Sequence, residues 1–152
     1  MRMFVEPQPM VVGQLLARYA AGERDFIGAH INAANLRGAY LARINLFGAH
    51  LENADVRNVD LTESYLSNAI LINSDFTGAH LREADLGLAD LRGAVLVNAD
   101  LEDANLEQAD MRGTCLRGVN LNGASMRGLD AREADLDDET ARKIVTGGGK
   151  VR

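Results

Sequence analysis

The side chains able to act as nucleophile, proton shuttle or metal ligand are few in this chain of 152 residues: three histidines, one cysteine and a scatter of hydroxyls. His30, His50, His80 and Cys115 all fall at multiples of five from one another. No Ser, His and Asp come together as a nucleophile–base–orienter set, and the glycines are not gathered before a helix as a phosphate-cradling loop requires. A single Cys excludes a disulfide framework and a Cys-rich zinc site, and it fits a reducing compartment. These residues predict no catalytic group, no metal and no cofactor, and so not an enzyme.

What positions them is a repeat. From Phe26, steps of five reach Ile31, Leu36, Leu41 and so on to Leu136, 23 apolar residues with no insertion or deletion. With this apolar position as i, position i−2 is Ala in 15 of 23 units, as at Ala29, Ala54 and Ala99. Position i−1 is Asp ten times and Asn four times; position i+2 is Gly nine times and Asn five times. A five-residue step turns 140° net around an α-helix, which would spread the large residues over every face. It also alternates faces along a plain strand. Within one unit, however, i−2 and i share a side, and Gly or Asn at i+2 tolerates the positive φ of a tight turn. The pattern therefore predicts short extended segments joined by corners, with Ala and Leu inside and coils stacked about 4.8 Å apart.

The units Ala84-Asp85-Leu86, Ala89-Asp90-Leu91, Ala99-Asp100-Leu101 and Ala109-Asp110-Met111 resemble the pentapeptide repeat family. That resemblance implies an all-β solenoid, a right-handed quadrilateral β-helix with four units per coil. Twenty-three units then make about 5.75 coils, a rod roughly 27 Å long. Three segments are expected. Residues 1–23 form an N-terminal segment and capping helix, 24–138 the repeat, and 139–152 a short C-terminal helix and tail. Val12, Leu15, Leu16 and Tyr19 give the first helix an apolar face, with Gly22 as its stop. Asp137 or Asp138 caps a second helix from Glu139 to Val145, with Ala141, Ile144 and Val145 on one side. Lys150 to Arg152 are expected to fray.

Four units per coil would stack residues 20 apart. His30 and His50 then stack, but Ile70 follows and supplies no third ligand, so the pair reads as structural. His80 falls between Asp60 and Asp100 in a ladder of charges, and Cys115 lies beside Val95, with no histidine or lysine stacked on it. The face centred on Leu41, Leu61, Leu81, Leu101 and Leu121 is the most acidic. Its outward charges are Asp60, Glu63, Glu83, Asp100, Glu102 and Asp103 against Arg43 and Arg82, a balance of −4 where each other face carries −2. Among outward positions that break polarity, Tyr65, Ile70, Ile72, Leu88, Val95 and Val97 make a candidate apolar interface; Ile27, Tyr40 and Phe47 also break it.

The function expected is that of a non-catalytic scaffold binding another protein along one rod face, with a homodimer allowed. The alternative is DNA mimicry that inhibits or protects a topoisomerase such as gyrase, since some proteins of similar repeat pattern present acidic rods to that enzyme. A net charge of −6 predicts no direct nucleic-acid binding. No apolar run nears the roughly 20 residues of a membrane helix. Glu6, Pro7 and Pro9 stand where a signal peptide would place its apolar segment. Together these predict a cytoplasmic protein.

Overall fold

The computed structural model describes residues 10–152; the reading of Glu6, Pro7 and Pro9 lies outside the described residues. Between Arg24 and Asp137 the chain repeats one five-residue path: an extended residue at i−1, then a turn at i+1 and i+2. Twenty parallel bridges, from Asp25↔Asn45 to Asp130↔Lys150, each join residues 20 apart, so four units close one coil. The result is a four-faced β-helix, and each face is named here by a central residue: Leu66, Leu91, Phe76 and Leu81.

Backbone hydrogen-bond accounting explains the unit. In the Leu81 unit, the Leu81 amide donates to Asp100 O at 2.7 Å, and that of Glu83 to Glu102 O at 2.9 Å. The Asp100 amide donates back to Ala79 O at 2.9 Å, and the Ala84 amide closes the turn on Leu81 O at 3.1 Å. One amide per unit, at i+1, is left over. It is taken by the Asp or Asn side chain at i−1: Thr62 N–H donates to Asp60 Oδ1 at 3.0 Å, and Glu102 N–H to Asp100 Oδ1 at 3.1 Å. Thirteen of the fourteen Asp and Asn residues at i−1 cap the turn this way. The column of Asp and Asn is thus built into the backbone network. Every corner residue at i+2 from Gly28 to Glu133 has positive φ, as a type II turn requires.

The interior is dry and aliphatic: the large column from Phe26 to Ala131 and the small column from Ala29 to Ala109 are buried, with Ala39 only partly so. Three hydroxyls replace Ala in the small column. Ser74 and Thr114 donate to the carbonyls of Leu71 and Met111, while buried Ser64 Oγ has no partner.

Helix α1, Val12–Ala20, buries Leu15 and Tyr19, and Tyr19 Oη donates to Ala42 O at 2.8 Å. Leu16, expected on the buried side, is exposed. Gly22 ends the helix at φ 100°, with its amide on Tyr19 O and that of Glu23 on Arg18 O, a Schellman stop. Helix α2, Asp138–Thr146, is capped by Asp137, whose side chain accepts from the Thr140 amide at 2.8 Å. It buries Thr140 and Ile144 but leaves Val145 outside, contrary to the expected grouping. Gly148 repeats the same stop, with the Gly149 amide on Ile144 O at 2.8 Å.

The helices keep the register of the coil. Met10 lies 20 residues before His30 and donates to its carbonyl at 2.9 Å. At the other end Lys150 bridges Asp130, and Ala131 N–H donates to Lys150 O at 2.7 Å. The expected fraying of Lys150 is therefore corrected. Val151 stands 20 residues after Ala131, so α2 and its glycine stop fill the length of the omitted units and return the chain in phase. None of the described helices is long and apolar enough to cross a membrane.

Candidate functional site

Because inward columns are packing, any recognition chemistry lies at i−1, i+1 and i+2. The Leu91 face carries a ladder of paired charges. Arg92 donates to Asp90 through Nε at 2.8 Å and Nη2 at 2.7 Å, and Arg112 and Arg132 grip Asp110 and Asp130 in the same forked way. Arg92 also lies 3.9 Å from Asp110, and Arg112 the same distance from Asp130, so the rungs connect. On the Phe76 face Arg57 pairs with Asp55 at 2.6 Å. The guanidinium hydrogen bonds hold Asp55 and Asp130 down to about 2, and Asp110 below the usual carboxylate range. Arg117 lowers Asp135 likewise.

The acidic residues of the Leu81 face share that face, but cations and the backbone engage most of them. Glu63 pairs with Arg43 at 3.0 Å, Glu102 with Arg82 at 2.8 Å, and Asp100 lies 3.6 Å from Arg82. Asp60 and Asp100 also cap turns. Glu83 and Asp103 at the corners have no cation within 4 Å among the described residues. Beside this face, under α1, a polar hollow of about 410 Å³ is lined by Tyr19, Tyr40, Arg24, Arg43, Asp60 and Glu63. Its groups are largely satisfied internally. Arg24 donates to Tyr19 O and Glu23 O and lies 3.8 Å from the centre of the Tyr19 ring.

The apolar candidates do not share one face. Ile70 and Ile72 belong to the Leu91 face and Val95 and Val97 to the Phe76 face, and all four are half-buried. Tyr65 and Leu88 lie on the Leu66 face and are 55% and 56% exposed. Ile27 and Phe47 join them there, 59% and 46% exposed. Between Asp25 and Asp85 the outward residues of this face are Ile27, Gly28, Asn45, Phe47, Gly48, Tyr65, Ser67 and Asn68, none of them charged. Stepping by 20 from Ile27 reaches Phe47 directly, a signal present in the sequence once the coil length is known. Leu88 adds another: it holds φ 59° at a corner where nine other units place Gly. An exposed Leu in a left-handed corner costs roughly 1 kcal/mol.

His30 and His50 stack with ring centroids 4.3 Å apart and 12° between planes, and Ile70 bridges His50 next. His50 Nδ1 lies 3.5 Å from Glu52. His80 bridges Asp60 and Asp100, and Cys115 lies between Val95 and Asp135, its Sγ 3.7 Å from Asp135 Oδ2. Among the described residues no three His, Cys, Asp or Glu are placed to hold one metal ion.

A closed stack of five-residue units with four faces defines a β-solenoid repeat protein. The pentapeptide repeats model matches in eight copies over residues 25–63, 60–96, 84–123 and 99–138, and the chain belongs to the pentapeptide repeat family. A solved pentapeptide repeat protein from the cyanobacterium Cyanothece 51142 is 29% identical, with a TM-score of 0.78 over 84% of this chain and 100% of that one. One from the Arabidopsis thaliana thylakoid lumen is 23% identical, with a TM-score of 0.51 over 87% of this chain and 82% of that one; it shares the fold. QnrB1, a plasmid-mediated fluoroquinolone resistance protein, is 18% identical, with a TM-score of 0.40 over 86% of this chain and 84% of that one. A likeness that low carries no functional argument. No curated protein matches the chain, and the family whose model matches is a repeat family.

Proposed function

We propose that the chain is a non-catalytic scaffold that binds another protein along one face of its rod, through the uncharged strip of the Leu66 face. The observation that carries this reading is the gathering of Ile27, Phe47 and Tyr65 on one face without an intervening charge, with Leu88 exposed on the next rung beside Asp85. Clustered exposed apolar groups on a protein rimmed by charge favour a protein contact. The strip spans four rungs, about 14 Å along the rod, and suits a compact contact. Burying Phe47 or Tyr65 on binding is worth about 1.5–3 kcal/mol each, so losing one weakens affinity by about 10- to 100-fold. The same reading takes the rod as right-handed, with about 5.75 coils capped by α1 and α2, and as a cytoplasmic protein.

A photo-crosslinking residue in place of Phe47, with Arg112 as the control position, tests this in the native cell. The expected result is a discrete adduct with another protein from position 47, absent from position 112 and lost with Tyr65→Asp. Adducts of equal yield from both positions, or none from 47, would overturn the reading. DNA mimicry draws on the Leu81 face, where Arg43 and Arg82 pair with Glu63, Glu102 and Asp100. The scaffold reading expects no effect on gyrase supercoiling at micromolar protein. Inhibition lost on charge reversal of Glu83 and Asp103 would favour mimicry instead.

A further inference from the structure

Ten of the fifteen described Lys and Arg residues have a carboxylate within 4 Å. The five without one among the described residues are Arg24, Arg37, Arg142, Lys150 and Arg152. Arg24 is held by two backbone carbonyls and the Tyr19 ring. Of the remaining four, three converge on a single hollow.

That hollow, about 520 Å³, opens between α2 and the returning segment Gly149–Arg152. Ala141, Val145, Gly149 and Val151 give it an apolar floor, and Arg142, Lys150 and Arg152 border it. Val145 is 55% exposed, although it sits on a helix whose inner side packs on the coil. Of the nearby carboxylates, Asp135 pairs with Arg117, Asp137 accepts from the Thr140 amide and Glu139 pairs with Lys143, while Asp138, four residues before Arg142 on α2, forms no ion pair with it. In a protein of net charge −6, three uncompensated cations around an apolar hollow are the reverse of the general surface.

We infer that this hollow binds an acidic peptide segment of a partner protein, with one apolar side chain seated against Val145 and Val151 and its carboxylates on Arg142, Lys150 and Arg152. Charge selects the occupant. A second copy meeting this one symmetrically through the same end would oppose six like charges, and a purely polyanionic ligand would leave the apolar floor unused. A concave, apolar-floored site with a cationic rim fits an apolar anchor flanked by Asp or Glu. The site lies at the α2 end and is independent of the strip on the Leu66 face.

Fluorescence anisotropy with a fluorescein-labelled peptide of Leu and Phe set among Asp and Glu tests the inference on the full 152-residue chain. At 0.15 M salt, saturable binding is expected. It should weaken at least tenfold in Arg142→Glu/Lys150→Glu and in Val145→Glu, with thermal unfolding unchanged. If the double variant fails to fold, Arg142→Glu alone, on the exposed side of α2, serves the same purpose. Absence of saturable binding would overturn the inference. So would equal binding of a peptide with Leu and Phe replaced by Ser, or a preference for anionic phospholipid vesicles over the peptide. Self-association of the chain that competes with the peptide would also overturn it.

Discussion

On the Leu91 face, from Asp90 to Arg132, every outward charge has a partner; on the Leu66 face, from Ile27 to Asn68, there is no charge at all. The backbone beneath is the same in both: the same bridges, the same corners, the same dry interior. The difference lies at i−1 and i+1. On the first face Asp at i−1 caps the turn amide and holds the following Arg in a fork, so one carboxylate serves the backbone and the surface together. On the second, Tyr65 occupies i−1 and leaves the Ser67 amide without that cap. A unit that gives up its Asp loses a structural hydrogen bond. On this face that loss is confined to the Tyr65 unit, since Asp25, Asn45 and Asp85 still cap the turns that carry Ile27, Phe47 and Leu88.

Two substitutions sharpen that contrast in opposite directions. Asp110→Ala removes a turn cap and the forked pair with Arg112, and it should destabilise the protein by about 1–2 kcal/mol in a urea titration. Tyr65→Asp restores the missing cap and should stabilise by about 0.5–1 kcal/mol while abolishing crosslinking from position 47. If Tyr65→Asp destabilised instead, the backbone role assigned to the Asp column would be wrong.

Acid acts more gently, through carboxylates held down by their hydrogen bonds. Asp55 and Asp130 are held at about 2, below their ordinary value of 3.8, by the Arg57 and Arg132 guanidinium groups. A carboxylate whose folded value is depressed contributes stability that is fully present above the ordinary value and is lost as pH falls towards the folded one. Thermal stability should therefore be level from neutrality to about pH 4 and decline between about 4 and 2. In Arg132→Met the Asp130 midpoint, followed by NMR, should rise towards 3.8. An unchanged midpoint would show that the fork is not its cause.

The repeat itself was plain in the residues, because an unbroken column from Phe26 to Leu136 admits few backbones. The helices were legible from Gly22 and Asp137, whose chemistry is local to the ends they mark. Three features needed the coil in space. The Asp and Asn column reads as polar decoration until the i+1 amide is seen to have no other backbone partner. Three consecutive glycines made Lys150 look like the start of a loose tail, although Val151 keeps the 20-residue step from Ala131. The apolar strip was obscured because neighbours in sequence, Ile70 with Ile72 and Val95 with Val97, drew attention from Ile27 and Phe47, which become neighbours only when the coil closes.

The 20-residue coil underlies every face assignment, and Cys115 offers a direct probe of it. Val95 bridges Cys115 on the next rung, and adjacent rungs at about 4.8 Å fall within the span a disulfide closes. In Val95→Cys, mild oxidation followed by intact mass and peptide mapping should show a 95–115 disulfide in the folded monomer, while Ile70→Cys should leave both thiols free. Free thiols in Val95→Cys, or a bridge from position 70 to 115, would contradict the register and with it the placement of the strip.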